Sequence, residues 1–291
     1  MYRYKGIIFL LLSSFFFTTS TLFAKLVTTL SEIQAVEITF CRFFLGFITV
    51  LIYMVTQKRS LRPKRISYVL LRSILNLIAV ILFFAGVQFT TITNANMLNM
   101  TYPIFVYLYA PFINREKNSV IYLLYVTITM IGAYLIINPT IEDLLLGDIL
   151  ALLSGVTAGA AISILREARK YDSSFIILFY LMTIGTITNY FIMLPYFIAP
   201  KGIVILYLFL SASSGVLGQI FITIGYRYID AASGSLISSS RILFAVIMGV
   251  CMFSDPLSPK IIIGAILIII SLIGVSGRWQ RIRQKTPSSM M

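Results

Sequence analysis

Residues 35–65 read AVEITFCRFFLGFITVLIYMVTQKRSLRPKR. About 20 nearly unbroken apolar residues, the length of one bilayer crossing, run straight into five basic ones: Lys58, Arg59, Arg62, Lys64 and Arg65. A further apolar tract starts at Ile66. The pattern recurs in both directions. Apolar tracts begin near Gly6, Ala35, Ile66, Thr91, Ser119, Gly147, Ser173, Gly202, Ala231 and Ile261. Ten crossings use nearly the whole chain and leave no room for a sizeable soluble domain. Strands of a membrane barrel would alternate over about ten residues, and these tracts are apolar for about twice that length. The expected class is therefore an all-α membrane protein with ten transmembrane helices.

Composition agrees. The chain is 59% hydrophobic and 11% charged, with a mean hydropathy of +0.95. Soluble domains run near a quarter charged. The first tract, Gly6–Ala24, follows Arg3 and Lys5 as a signal peptide would, but no clean A-x-A cleavage site follows it. Cys41 and Cys251 both fall inside apolar tracts, where cysteine acts as a small apolar filler.

The net charge of +13 is unevenly spread. Arg3 and Lys5 precede tract 1, and the five basic residues above join tracts 2 and 3. Arg115 and Lys117 join tracts 4 and 5; Arg166, Arg169 and Lys170 join tracts 6 and 7. Arg227 lies between tracts 8 and 9, and Arg278, Arg281, Arg283 and Lys285 follow tract 10. All fall on one side of a ten-helix frame. The other side holds Lys25, Lys201 and Lys260 with the acids Glu32, Glu142, Asp143 and Asp255. Positive connectors stay inside, so both termini are expected in the cytoplasm. With no soluble basic face, nucleic-acid binding is excluded.

A single offset pairs Gly86 with Gly225, Ala95 with Gly234, and Glu116 with Asp255. Gly6 and Gly147 open tracts 1 and 6, while Lys25 and Arg166 close them. The expected division is 1–138 and 139–291, five helices each. An odd number reverses the second half in the membrane, and inverted repeats are a recurrent device of secondary transporters.

Charges within lipid need a partner, a cavity or an interface. Glu37 and Arg42 lie in tract 2, about 7–8 Å apart along the axis and on different faces. Arg42 reads either as a fixed structural charge or as a group that binds or gates substrate. Arg241, after Ser238, Ser239 and Ser240, lies mid-tract, too deep for easy snorkelling. It reads as a ligand or gate contact, or as a hydrogen-bonding anchor. Arg72 is nearer the cytoplasmic end of tract 3, where snorkelling and packing against a loop are expected. Deep arginines without a deep carboxylate would favour a solute bearing a carboxylate or phosphate. Asn76, Gln88, Asn94, Asn96, Asn99 and Tyr102 add uncharged polar groups. Asn96, Asn99 and Tyr102 share one face, lining a pathway or holding helices together; Gln88 and Asn94 are expected near solvated ends. Tyr180, Asn189, Gln219 and Tyr226 are weaker candidates, Tyr226 suiting the interfacial aromatic belt. Ala151, Gly155, Gly159 and Ser163, and separately Ser211, Ser214, Gly215 and Gly218, allow close helix approach.

Several chemistries are missing. There is no histidine, hence no imidazole base or metal ligand, and two separated cysteines do not make a metal site. No G-x-x-x-x-G-K-[ST] stretch occurs. No cofactor and no enzymatic activity are expected. The connectors are short for a channel filter, and a membrane scaffold remains as the alternative outside transport.

The chain resembles the drug/metabolite transporter superfamily, in its bacterial ten-helix form built from two EamA domains. The resemblance is carried by Glu37-x-x-x-x-Arg42-Phe43, the run from Thr93 through Tyr102–Pro103 to Glu116, Gly132–Ala133–Tyr134–Leu135, Gly147–Asp148, and Tyr226–Arg227–Tyr228 to Phe253–Ser254–Asp255. It covers roughly residues 3–277. It implies secondary transport of a small organic solute across the bacterial inner membrane, as a monomer or homodimer. It also implies a cavity lined by helices 1, 3, 4, 6, 8 and 9. Thr21, Asn76, Asn96, Asn99, Tyr102, Gln219 and Arg241 are then the substrate-binding candidates, and Glu37, Arg42 and Arg72 the gating or structural charges; helix 2 lies outside that core. Tract 1 has no carboxylate, unlike the four-helix multidrug relatives. The Glu37–Arg42 pattern also resembles the S-adenosylmethionine importers of intracellular bacteria, and export of amino acids or drugs fits as well.

The charge pattern predicts sidedness. In a chain with Cys41 and Cys251 replaced by serine, Ser60→Cys should react with an impermeant maleimide only after the membrane is broken. Lys201→Cys should react on intact cells. The reverse result would overturn the topology.

Overall fold

The computed structural model describes residues 2–87, 89–117, 119–139, 146–253 and 256–284. Gln88, Glu142, Asp143, Ser254, Asp255 and Lys285, singled out above, lie outside the described residues. The helices are α1 (Tyr2–Leu30), α2 (Ala35–Thr56), α3 (Ile66–Val87), α4 (Ile92–Asn99), α5 (Tyr102–Tyr109), α6 (Val120–Ile137), α7 (Leu146–Tyr171), α8 (Ser174–Met193), α9 (Ile203–Gly225), α10 (Ala231–Ser238), α11 (Ser240–Phe253) and α12 (Pro259–Gln284). A π turn, Ala110–Asn114, extends α5. No strand occurs among the described residues. Nine helical stretches there are long and apolar enough to cross a membrane.

Helix is the form the medium demands, because lipid offers no partner to backbone N–H and C=O groups. The ends use ordinary devices. Ser173 caps α8 by accepting from Ile176 N at 3.3 Å. Asn138 closes α6 in the left-handed region, φ 45°. The outer faces carry large apolar side chains in the open, among them Phe112 at 84% and Phe191 at 65% exposure. A protein surrounded by water would not show so much contiguous apolar surface.

Inside, α1 packs along α9, α3 along α7, α2 along α8 and α6 along α12. Small residues set these contacts. Ser20 and Ser211 each donate to the other's carbonyl, at 2.8 and 2.9 Å, tying α1 to α9. Gly6 meets Gly225 at one end of that pair, and Gly86 meets Gly147 where α3 crosses α7. Gly132 and Gly264 face each other between α6 and α12, with Thr129 donating to Ser271 at 2.7 Å nearby.

Two stretches break in mid-course. Thr91 caps α4 by accepting from Asn94 N at 3.1 Å, and Asp230 caps α10 by accepting from Ser233 N at 2.8 Å. Each cap opens an eight-residue helix. The offset that pairs Gly86 with Gly225 also pairs these caps, and it pairs Met100 with Ser239, the residues where the two helices stop. Pro103, which has no N–H to donate to the Asn99 carbonyl, explains the first break. The second has no proline. Ser235, Ser238 and Ser239 turn their hydroxyls back onto the carbonyls of Ala232, Gly234 and Ser235, which bends helices.

A methyl group at Gly132 would lie 2.7 Å from the Gly264 carbonyl oxygen, and one at Gly264 2.5 Å from that of Gly132. Either Gly→Leu change should cost about 1–3 kcal/mol by overpacking. Thermal melting in detergent should register it, while Ile74→Leu on the lipid face leaves the midpoint unchanged.

Candidate functional site

The two breaks deliver polar side chains to one place. Tyr102 is the first residue of α5 and Arg241 the second of α11. Each lies just past its break, and the two are close enough to interact electrostatically. The Tyr102 hydroxyl donates to the Ser235 carbonyl at 3.3 Å. The Arg241 guanidinium lies over the Phe17 ring, 5.7 Å from its centre. On α1, Thr18 donates to the Arg241 carbonyl and Ser14 to that of Ser238, both at 3.2 Å.

Arg42 reaches the same region from α2. Its stem lies on the bare backbone of Gly215 in α9, beside Ser20. Its guanidinium is within the field of Arg241 and 5.2 Å from the Phe43 ring centre. Neither guanidinium makes a side-chain hydrogen bond or ion pair among the described residues. Both residues are half-buried. Gln219 is one turn beyond Gly215 on the same face of α9, and its amide nitrogen is buried without a partner.

Arg72 extends the cluster. It is 2% exposed and donates to Asn76 at 3.0 Å; it does not snorkel, because α7 covers that part of α3. It interacts with Tyr226, and Tyr226 with Tyr102. Tyr226 is fully buried against Gly234 and is no part of an interfacial belt. Asn94, expected near a solvated end, is also buried at 6% exposure.

Other candidates lie elsewhere or are engaged. Thr21 is exposed and donates to its own Phe17 carbonyl at 2.9 Å. Asn99 donates to Ser154 at 2.5 Å, tying α4 to α7. Asn96 is half-buried on α4. Glu37 accepts from Ile198 N at 3.1 Å and does not pair with Arg42. Sequence reasoning missed Phe17 and the role of Gly215. The second had a signal, a glycine amid small residues on α9, but its reason is a side chain from another helix.

A second cluster occupies one end of the bundle. Glu116 accepts from Arg166 Nε at 3.2 Å and from Ala231 N at 2.9 Å, at the start of α10. Arg166 also donates to the carbonyls of Tyr226 and Arg227, at 3.0 and 3.1 Å. Asp172 accepts from Lys64 N and Arg65 N at 2.6 and 3.1 Å. The connectors after α2, α5, α7 and α9 are thus stitched together here. Burial first, and the neighbouring Asp230 second, push the Glu116 carboxyl above its ordinary range; Ala231 N–H and Arg166 oppose them. The arrangement as a whole offers unengaged cationic donors inside and an acid-dependent clamp at one end. Among the described residues no cluster of metal-ligating side chains occurs.

The profile of the EamA-like transporter family matches residues 4–138 and 145–277. Human solute carrier family 35 member G1 is 26% identical over 94% of this chain and 79% of its own length. The pseudopaline exporter of Pseudomonas aeruginosa is 24% identical over 94% of this chain and 96% of its own. The S-adenosylmethionine uptake transporter of Rickettsia felis is 24% identical over 82% of each. A solved crystal structure superposes with a TM-score of 0.79 over 98% of this chain and 100% of the other, at 14% identity, a likeness of fold alone. These named relatives are carriers, not enzymes.

The clamp has a pH signature. The folded protein holds the Glu116 proton more readily than the unfolded chain, whose value is near 4.5. Ionisation of Glu116 therefore costs stability at neutral pH, and the cost is relieved as pH falls through the raised value. Each unit of elevation is worth about 1.4 kcal/mol. Glu116→Gln should melt higher than the parent at pH 7.5, and the gap should close toward pH 5. A gap that ignores pH would refute this account.

Proposed function

Because this multi-pass membrane protein belongs to the EamA-like transporter family, we propose that it is a secondary transporter of a small organic solute carrying a carboxylate or other anionic group. It works by alternating access in the bacterial inner membrane, as a monomer or homodimer, with both termini in the cytoplasm. The observation that carries this reading is the pair Arg42 and Arg241, which reach the same stretch of the α1–α9 seam, at Gly215 and over Phe17, without an acidic partner among the described residues. Opposite charge in a low-dielectric cavity focuses an anion strongly.

In this reading the chain crosses ten times, with the interrupted stretch Ile92–Asn114 as the fourth span, and divides into halves 1–138 and 139–291 of opposite orientation. The paired caps, the paired breaks and the exchange of helix partners support it. Swapping the halves turns the α1–α9 contact into the α3–α7 contact and maps α6–α12 and α2–α8 onto themselves. The Gly6–Gly225 crossing becomes the Gly147–Gly86 crossing, at the opposite end. The Glu116–Arg166 clamp then closes the cytoplasmic mouth, since it ties the basic connectors together. An S-adenosylmethionine carboxylate would meet an arginine here, but its sulfonium would find no acid in the cluster, so an anionic solute fits better.

The test is uptake into proteoliposomes with labelled amino acids, S-adenosylmethionine and simple organic acids. Arg241→Ala should lower uptake of the transported solute roughly ten- to a hundredfold, the worth of a charged hydrogen bond. Arg241→Lys should restore only part, lacking the planar fork. Both variants should melt within a few degrees of the parent. Normal transport in both would remove Arg241 from the site, and a scaffold would show neither uptake nor a solute-dependent melting shift.

A further inference from the structure

The placement of acids and bases across the chain defines the charge of the cargo more narrowly. The sequence has ten acidic residues. Those on the described helices, Glu37, Asp148 and Glu167, sit in or beside end turns, and Glu37 and Glu167 are engaged there with Ile198 N and Lys170. Asp148 accepts from Thr90 at 2.7 Å. Glu116, Asp172 and Asp230 lie in connectors at the clamped end. Glu32 is exposed in the α1–α2 connector, and none of these seven described acids is an ion-pair partner of Arg42 or Arg241. The stem of Arg42 lies at Gly215 of α9 beside Ser20 of α1, and Arg241 lies over Phe17 of α1, which packs on Gly218 about one turn further along α9, so the two cations share one stretch of the α1–α9 seam with no acid among the described residues paired to either.

Guanidinium cannot shed its proton to escape the cost of two cations so placed. Aromatic rings relieve it only in part. The guanidinium carbons of Arg42 and Arg241 lie 5.2 and 5.7 Å from the ring centres of Phe43 and Phe17, and among the described residues neither guanidinium makes a hydrogen bond or an ion pair. Guanidinium N–H donors form the fork that binds a carboxylate or phosphate through two parallel hydrogen bonds. Arg72 is 2% exposed; it donates from Nη1 to Asn76, and its Nε is buried without a partner. A single negative charge would satisfy one arginine and leave the other; two would balance the pair.

Arg42 stands there only because of Gly215. Its stem occupies the space that any side chain at Gly215 would take. Arg42 belongs to α2, which packs against α8 and α9, and it enters the interior through this gap. We propose that Arg42 and Arg241 form one two-arginine site for a small organic dianion, a dicarboxylate or a phosphate monoester, and that Gly215 sets this specificity by admitting Arg42. The proposal rests on the reading of this interior as the substrate site.

Three probes of similar size test it at pH 7.5 with the full-length protein: butyrate as monoanion, succinate as dicarboxylate and glycerol 3-phosphate as phosphate monoester. Melting shifts in detergent and competition for uptake in proteoliposomes should place at least one dianion tenfold or more below butyrate in apparent Kd. The two dianion arms tell paired carboxylates from one doubly charged group. Arg42→Ala should bring dianion and butyrate within about threefold by weakening the dianion, and Gly215→Val should do the same. Arg42→Lys, which keeps charge and bulk, should retain an intermediate preference and guards against a variant that fails to fold. Equal affinity for butyrate and both dianions in the parent overturns this proposal and leaves the anionic transporter standing. So does a preference that survives Arg42→Ala. Transport of an uncharged or cationic solute with no response to any of the three anions overturns the transporter reading given above, and this proposal with it.

Discussion

A helix that breaks inside a membrane exposes backbone carbonyls and amides that lipid cannot satisfy. Both broken stretches here are therefore wrapped in protein, and the wrapping organises the rest. The α4–α5 break lies on the small-residue face of α7, where a methyl group at Gly155 would come within 2.9 Å of the Leu98 carbonyl. Thr101 answers that carbonyl with its own hydroxyl at 2.6 Å. The α10–α11 break lies against α1, whose Ser14 and Thr18 reach the carbonyls of Ser238 and Arg241. The serines and glycines that look like mere packing material are the partners that make the interruptions tolerable.

The interruptions in turn aim the charged groups. Tyr102 and Arg241 each follow a break and meet in the interior. Arg42 joins them through the opening at Gly215. Among the described residues, acids are kept to helix ends and connectors, where backbone amides or basic partners receive several of them. One end is tied by an acid held above its ordinary range.

Much of this was legible in the residues. Apolar tracts of bilayer length and basic connectors carry their meaning locally, so the all-helical membrane character and the transporter family could be read directly. The depth of Arg241 followed from counting along its tract. The residue offset found between Gly86 and Gly225 reappears in the helix caps and breaks, because caps are set by local sequence. Misreadings arose where burial depends on a neighbour. Arg72 was expected to snorkel and pack against a loop, and Asn94 to be solvated, yet both are buried, at 2% and 6% exposure. Tyr226 suited an interfacial belt until Gly234 gave its ring a buried seat.

By itself, then, the amino-acid order determined the medium, the helices, the positions of the caps and the family. Each depends on periodicity, hydropathy or a motif within a few tens of residues. Only the tertiary structure decided that Arg42 stands with Arg241, that Asn99 ties α4 to α7, and that Glu116 bridges α7 and α10. Those facts depend on which small residue on one helix leaves room for a long side chain from another, and no local pattern encodes that pairing.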